Sequence, residues 1–120
     1  MIFQKMIEQC GLNQIEAAEY LDYSFGAVKQ WALEKRRLPD NVVLKMAKLD
    51  SQIGSIAFSI ASELQKNSAT IGDNPTGALL DKFHAVLQKL PAYDNVKEAC
   101  LARAFIIAQN GKLTKKGNTK

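Results

Sequence analysis

Between Asn13 and Trp31 the chain contains two short segments with helical periodicity, each with its own start signal, separated by only three residues. Asn13 with Glu16 three positions later forms a capping-box pattern, which predicts that a helix starts there. Ser24 is a suitable N-cap for the next segment, in which Val28 and Trp31 lie one turn apart and face inward. Two short helices joined this tightly must cross closely, so the spacing indicates a helix-turn-helix arrangement.

The neighbouring residues complete a small helical bundle. Apolar side chains at i, i+3, i+4 and i+7 predict a first helix over residues 2–10, which Gly11 ends, and the second helix runs to Leu21. Beyond Pro39, apolar residues spaced alternately four and three apart predict one long helix to Lys66. The members of this seam are Val42, Met46, Leu49, Ile53, Ile56 and Ile60.

Two further helices follow a loop. The run NSATIGDNPTG, residues 67–77, has loop composition, and any short strand would lie near residues 69–72. One helix then spans residues 78–90, and the other follows the turn PAYD and is apolar nearly all round between Ala99 and Ala108. A helix this apolar needs cover on several sides, which favours self-association. Arg103 within this helix is expected either to lie at an exposed seam or to pair with a carboxylate, for which the candidates are Asp81, Asp94 and Glu98.

The positive charge of the chain is concentrated at its end. The net charge is +4, and residues 111–120 contain Lys112, Lys115, Lys116 and Lys120 with no acid. Residues 1–50 hold seven basic and seven acidic side chains, so overall basicity is no argument for nucleic-acid binding by this half. Only local clustering of charge can support such binding.

Other classes of function find little support in the residues. Cys10 and Cys100 lie in apolar helical patterns rather than at metal or redox spacings, which indicates buried, reduced thiols. His84 has no acid, base and nucleophile set around it, and no glycine-rich phosphate loop occurs. We therefore expect no enzyme activity, metal, cofactor or small-molecule ligand.

The amino terminus is too short and too charged for a signal peptide, and no apolar run approaches the roughly 18 residues that a membrane helix needs. We expect a soluble, cytoplasmic protein without a membrane partner.

The stretch LNQIEAAEYLDYSFGAVKQW, residues 12–31, resembles the helix-turn-helix of the Cro and repressor-like superfamily, also called XRE-type. Small Ala18 permits the close approach of the two helices, and Val28 and Trp31 anchor the second of them. Asp22 and Glu34 depart from the pattern, since glycine is common at both positions.

The continuation LPDNVVLKMAKL, followed by a linker and two more helices, resembles a narrower group that includes anti-CRISPR-associated autorepressors. The helical patterns and the lack of any strong β signal predict an all-α chain. The likeness implies an N-terminal helix-turn-helix bundle of four to five helices and a small C-terminal helical dimerisation part. The expected domains are residues 1–66 for DNA binding, 67–110 for dimerisation and 111–120 as a basic flexible tail.

The resemblance also implies which residues meet DNA, because the first turns of the recognition helix face base edges and the flanking segments hold phosphates. Lys29 is expected to donate to guanine, Gln30 to pair with adenine and Phe25 to press on a thymine methyl. The full DNA-binding set is Gln14, Ser24, Phe25, Gly26, Lys29, Gln30, Lys35, Arg36 and Arg37. The expected dimer interface is Phe83, Leu87, Leu101, Phe105 and Ile106.

The function expected from this resemblance is that of a homodimeric repressor, which binds double-stranded DNA at an inverted-repeat operator and regulates its own operon. Such a protein would be associated with the nucleoid when bound to DNA. Two alternatives stay open. One is the antitoxin of a toxin pair, and the other is an adaptor that binds only proteins.

Overall fold

The structure is a computed structural model that describes residues 1–66 and 75–118, with side chains to Asn110. Within these residues the chain forms helices and no strand, which confirms the all-α prediction. The short strand considered at residues 69–72 falls outside the described residues. The helices are α1 Ile2–Gln9, α2 Gln14–Leu21, α3 Phe25–Ala32, α4 Asp40–Lys66, α5 Thr76–Lys82, α6 His84–Leu87 and α7 Asp94–Asn118. None of the described helices is both long enough and apolar enough to cross a membrane.

The turn between α2 and α3 has the predicted local chemistry. The Asn13 side chain accepts a hydrogen bond from the Glu16 amide at 2.8 Å, and the Glu16 carboxylate accepts one from the Asn13 amide at 3.1 Å. Ser24 Oγ accepts from the Ala27 amide at 3.1 Å. Asp22 ends α2 in the left-handed conformation, with φ of 61°. The predicted capping box, the Ser24 cap and the three-residue turn are therefore confirmed.

Trp31 lies at the centre of the N-terminal helices, with only 3% of its surface exposed. Its ring meets Phe3 and Tyr23 edge to face, at centroid distances of 5.7 Å and 4.9 Å. Aromatic pairs favour this arrangement because the positive ring edge meets the negative ring face. The predicted seam of α4 is buried along its whole length: Val42, Met46, Leu49, Ile53, Ile56 and Ile60.

Helix α7 packs along α4, and the two helices run in the same direction. Cys100 Sγ donates to the Ile53 carbonyl at 3.6 Å, and further along both helices Gln65 Nε2 donates to the Ala108 carbonyl at 3.2 Å. Fully buried alanines on both helices allow a close approach. One continuous core therefore extends from α1 to α7, and the boundary expected after residue 66 falls between helices that share it.

The helix predicted over residues 78–90 is interrupted at Phe83. This residue has φ of −105° and ψ of 19°, so α5 stops before it and the short α6 follows. The apolar side chains of the segment cover a broad face, and the bend lets Leu79, Leu87 and Leu90 all reach the core. One uninterrupted helix was the wrong prediction, because local periodicity does not reveal where the backbone leaves helical geometry.

The start of α7 rests on the turn between α1 and α2. Gly11 has φ of +81°, and a Cβ atom at this position would lie 2.2 Å from the Asn95 carbonyl oxygen. Such a separation is far inside van der Waals contact, so only glycine fits there. Tyr93 adds a hydrogen bond, since its hydroxyl donates to the Glu19 carboxylate at 3.0 Å.

Both cysteines are buried in this core, as predicted. Burial raises the pKa of the Cys10 thiol and that of the Cys100 thiol to about 11. Both thiols are therefore protonated at neutral pH, a form that reacts poorly with oxidants and metals.

Arg103 pairs with Asp50, which corrects the expected partners Asp81, Asp94 and Glu98. Its Nη2 donates to the Asp50 carboxylate and, at 3.4 Å, to the carbonyl of Gln9 at the end of α1. Its Nη1 donates to the Asp50 carbonyl at 3.4 Å. A cation at the C-terminus of α1 meets carbonyl groups that have no partner within that helix. Arg103 therefore links α7 to both α1 and α4.

We expect Arg103→Ala to lower the free energy of unfolding by about 1–2 kcal/mol, a range that allows for solvent screening of a partly exposed pair. Asp50→Asn should lower the free energy of unfolding by less, because this variant keeps the hydrogen bonds from Arg103 to the backbone carbonyls of Gln9 and residue 50. The fluorescence of the single tryptophan during urea unfolding measures both effects, and a double-mutant cycle isolates the pair. A variant that unfolds at the same urea concentration as the parent would show that Arg103 is only a surface residue.

Candidate nucleic-acid interface

Each residue of α3 is either buried in the core or exposed to solvent. Its buried residues are Ala27, Val28, Trp31 and Ala32, which confirms Val28 and Trp31 as anchors. Its exposed residues are Phe25, Gly26, Lys29 and Gln30, the four predicted to read bases on this helix. Phe25 is 46% exposed and thus not a core residue. Ser24 is exposed as well, but its hydroxyl is occupied in capping α3.

The predicted phosphate-binding residues Lys35, Arg36 and Arg37 follow α3 directly, and all are exposed. The end of α3 fixes where this basic loop starts. The Lys35 amide donates to the Gln30 carbonyl at 2.9 Å, and the Glu34 amide donates to the Trp31 carbonyl at 3.1 Å. These two bonds form a Schellman motif, in which the residue after the C-cap is left-handed.

Three successive helices end in this same motif. The left-handed residue is Gly11 after α1, Asp22 after α2 and Glu34 after α3, and the last two have φ of 61°. Asp22 and Glu34 are the positions where the repressor-like pattern commonly has glycine. The backbone at both positions therefore has the conformation for which glycine is favoured, although the residue differs.

Gln14, predicted to hold a phosphate, is half-buried and contacts α1. Its Nε2 donates to Gln4 Oε1 at 2.9 Å, and Gln4 Nε2 donates to the Glu8 carboxylate at 3.0 Å. The bond from Gln4 lowers the pKa of Glu8, so this carboxylate is ionised at neutral pH. Gln14 is thus tied to α1 through a chain of hydrogen bonds that ends at Glu8, whose carboxylate also pairs with the Lys5 ammonium group at 3.6 Å.

Three further residues near α3 were not predicted to form part of the interface. Ile15, beside Gln14, is 66% exposed, and its sequence signal was its position off the apolar face of α2. Asn41 Nδ2 donates to the Tyr23 hydroxyl at 3.2 Å and so ties the turn to α4. Lys45 lies on α4, and its Nζ donates a hydrogen bond to the Tyr20 carbonyl at 2.7 Å, so this cation already has a partner within the protein.

The five residues of the expected dimer interface differ in exposure. Leu87 and Leu101 are buried within the chain, with 1% and 4% of their surfaces exposed. Phe83 is almost fully buried and Phe105 is half-buried against the same core. Ile106 alone of the set is largely exposed, at 61%.

An unpredicted apolar residue on α4, Phe58, is 65% exposed. It lies two positions from the buried seam residues Ile56 and Ile60, and this offset was its signal in the sequence. Phe58 and Ile106 are thus largely exposed apolar side chains on α4 and α7, while a third, Leu44, lies near the start of α4.

No protein-family model, curated protein or solved structure matches this chain. The function is therefore argued from the geometry of the chain itself.

We expect Glu34→Gly to raise the free energy of unfolding by about 0.5–1 kcal/mol, because it relieves a left-handed residue that carries a side chain. Glu34→Ala is the matched control, since it removes the same charge but keeps the backbone cost. Urea titrations of both variants measure the difference. Equal stability of the two would contradict the left-handed conformation at this position.

Proposed function

We propose that this chain is a sequence-specific DNA-binding transcriptional regulator of the helix-turn-helix type. The observation that carries the proposal is that α3 has one buried face and one exposed face. Its anchors Val28 and Trp31 are buried in the core, while four residues of the same helix are open to solvent. A cap at each end and the edge-to-face contacts of Trp31 hold this helix rigidly. An α-helix presented in this way has the width that the major groove of B-DNA admits.

The charges around α3 support DNA rather than protein as the partner. Lys29 lies on the exposed face, and Lys35, Arg36 and Arg37 follow the end of α3 after Leu33 and Glu34. Glu34 is the acidic side chain next to this loop. Cations at the rim of a groove-sized helix match the phosphates that border the groove.

Removing a base contact and removing a phosphate contact should have different effects on DNA binding. Lys29→Ala and Gln30→Ala should each cost about 1–3 kcal/mol on the preferred site and relax discrimination at one base pair per half-site. Arg36→Ala and Arg37→Ala should weaken binding to all sequences alike and lower the salt slope by about one unit per half-site. Binding isotherms on matched and mutated sites at several salt concentrations measure both. Identical binding by the four variants and the parent would show that α3 and its loop do not contact DNA and are only a capped helix with a charged end.

The two-fold symmetry of a dimer predicts what kind of DNA site the protein would bind. A two-fold dimer presents two recognition helices and reads an inverted repeat, and such a site in the regulator's own promoter gives autoregulation. We propose this arrangement, with the second copy bound through the exposed side chains of α4 and α7. The same apolar side chains would also serve an antitoxin or an adaptor, whose protein binding should resist salt where DNA binding does not.

We expect light scattering at micromolar concentration to give twice the mass of one chain. Phe58→Asp and Ile106→Asp should each shift the protein towards the monomer, because a charge in an apolar interface is desolvated. Leu44→Asp is the control, since Leu44 is 63% exposed on α4 but lies near its other end. A chain shortened at residue 66 would not test the interface, because it uncovers the buried seam of α4. A monomeric parent would overturn the proposed dimer.

A further inference from the structure

An open cavity of about 330 Å³ lies between the start of α1 and the loop that follows α3. Its lining residues include Ile2 and Phe3 of α1, Trp31 of α3 and the loop residues 34–38. Sites that bind small molecules typically begin at about 300 Å³, so the cavity is large enough for a small organic ligand.

The polar part of this lining is mainly cationic. Lys35, Arg36 and Arg37 are all exposed, and none of them forms an ion pair with a described residue. Glu34 is the one acid among the described lining residues, so three positive charges stand against one negative charge. An anionic ligand is therefore favoured over a neutral one.

The other part of the lining is apolar. Ile2 is 76% exposed, the highest value among the large apolar side chains of the described chain. Beside it, the rings of Phe3 and Trp31 meet edge to face. A ligand that covers Ile2 removes apolar surface from water, which favours a ligand with an apolar body.

Trp31 also has a hydrogen-bond donor without an acceptor. Its Nε1 is buried and has no partner, and it is the only buried side-chain atom of this kind in the part of the chain that the structure describes. Buried polar groups nearly always have a partner, so this exception needs an explanation. An acceptor atom that enters the cavity beside the indole ring would supply the missing partner after a small movement of the lining side chains.

We propose that this cavity binds a small organic anion with an apolar body, of the class of medium-chain carboxylates. The carboxylate pairs with the cations of residues 35–37 and provides an acceptor for Trp31 Nε1, and the alkyl chain covers Ile2. The ligand is thereby recognised by charge at one end and by apolar contact at the other.

The same cations are the ones proposed to hold DNA phosphates. A bound carboxylate neutralises part of their charge, so the ligand and DNA should each weaken the binding of the other. This regulatory consequence rests on the proposed DNA-binding function, whereas binding of the ligand to the free protein does not.

Octanoate is the probe for the cavity, and octan-1-ol is its uncharged counterpart. Calorimetry should show one octanoate bound per chain with a Kd of about 1 mM or tighter. The emission of Trp31, the single tryptophan, should change on binding. Octan-1-ol should bind about fivefold more weakly or worse, because it cannot pair with the cations. A parent that binds no octanoate at about 10 mM, or that binds the alcohol equally well, overturns the proposal.

The double variant Arg36→Gln/Arg37→Gln tests the charged end of the site. It should bind octanoate about tenfold more weakly than the parent, because two charge-assisted contacts are lost. Lys48→Gln/Lys89→Gln is the matched control, since it removes the same net charge at two exposed positions outside the cavity lining. Equal losses in the two double variants would show an effect of net charge alone and reject the site.

Ile2→Ala tests the apolar end of the site. This variant should bind octanoate about threefold more weakly, because less apolar surface is covered by the alkyl chain. Ile15→Ala is the control, since Ile15 is 66% exposed and does not line the cavity. Both side chains are largely exposed, so both variants should keep the Tm of the parent. Equal octanoate binding by Ile2→Ala and the parent would contradict the placement of the alkyl chain.

Competition with DNA separates this inference from the proposed function. Octanoate should release a duplex that the parent has selected from random sequences, and Ile2→Ala should need about threefold more octanoate for the same release. A parent that selects no sequence rejects the proposed function, while octanoate binding to the free protein still decides the site. A parent that binds octanoate but keeps its duplex at saturating octanoate overturns the regulatory consequence.

Discussion

The contact between the α1–α2 turn and the start of α7 determines how the two ends of the chain are combined. Gly11 adopts a left-handed conformation and lets the Asn95 carbonyl approach to a distance at which any side chain would clash. Tyr93, just before α7, then bonds to α2, and Arg103, in the first half of α7, bonds to α4 and to the end of α1. Because of these contacts α7 completes the core of α4 instead of forming a core of its own.

The packing of α7 on α4 also affects the candidate interface on α3. The exposed face of α3 lies on the opposite side of that helix from Val28 and Trp31, and these anchors pack on a core that α7 helps to close. The orientation of α3 is therefore set by the whole chain as well as by its own caps. A helix backbone held in this way loses little conformational freedom on binding, which favours the specific recognition that we propose.

The glycines of the chain follow two different rules. At Gly11 the fold itself excludes a side chain, whereas at Gly26 the structure has room for one. Asp22 and Glu34 show the converse case, since they have the left-handed backbone typical of glycine but keep acidic side chains. Asp and Asn tolerate this conformation better than Glu does, so Glu34 carries the larger backbone cost.

What the sequence by itself determined is the local structure: the capping box at Asn13, the Ser24 cap, the buried seam of α4 and the exposed face of α3. These features depend on residues within one or two helical turns, so periodicity and capping chemistry are enough to predict them. The tertiary structure alone decided that Arg103 pairs with Asp50, that Phe83 interrupts its helix and that Leu87 and Leu101 are covered within one chain. Each of these depends on which surfaces meet across long stretches of sequence, and close packing of a shared core makes that choice.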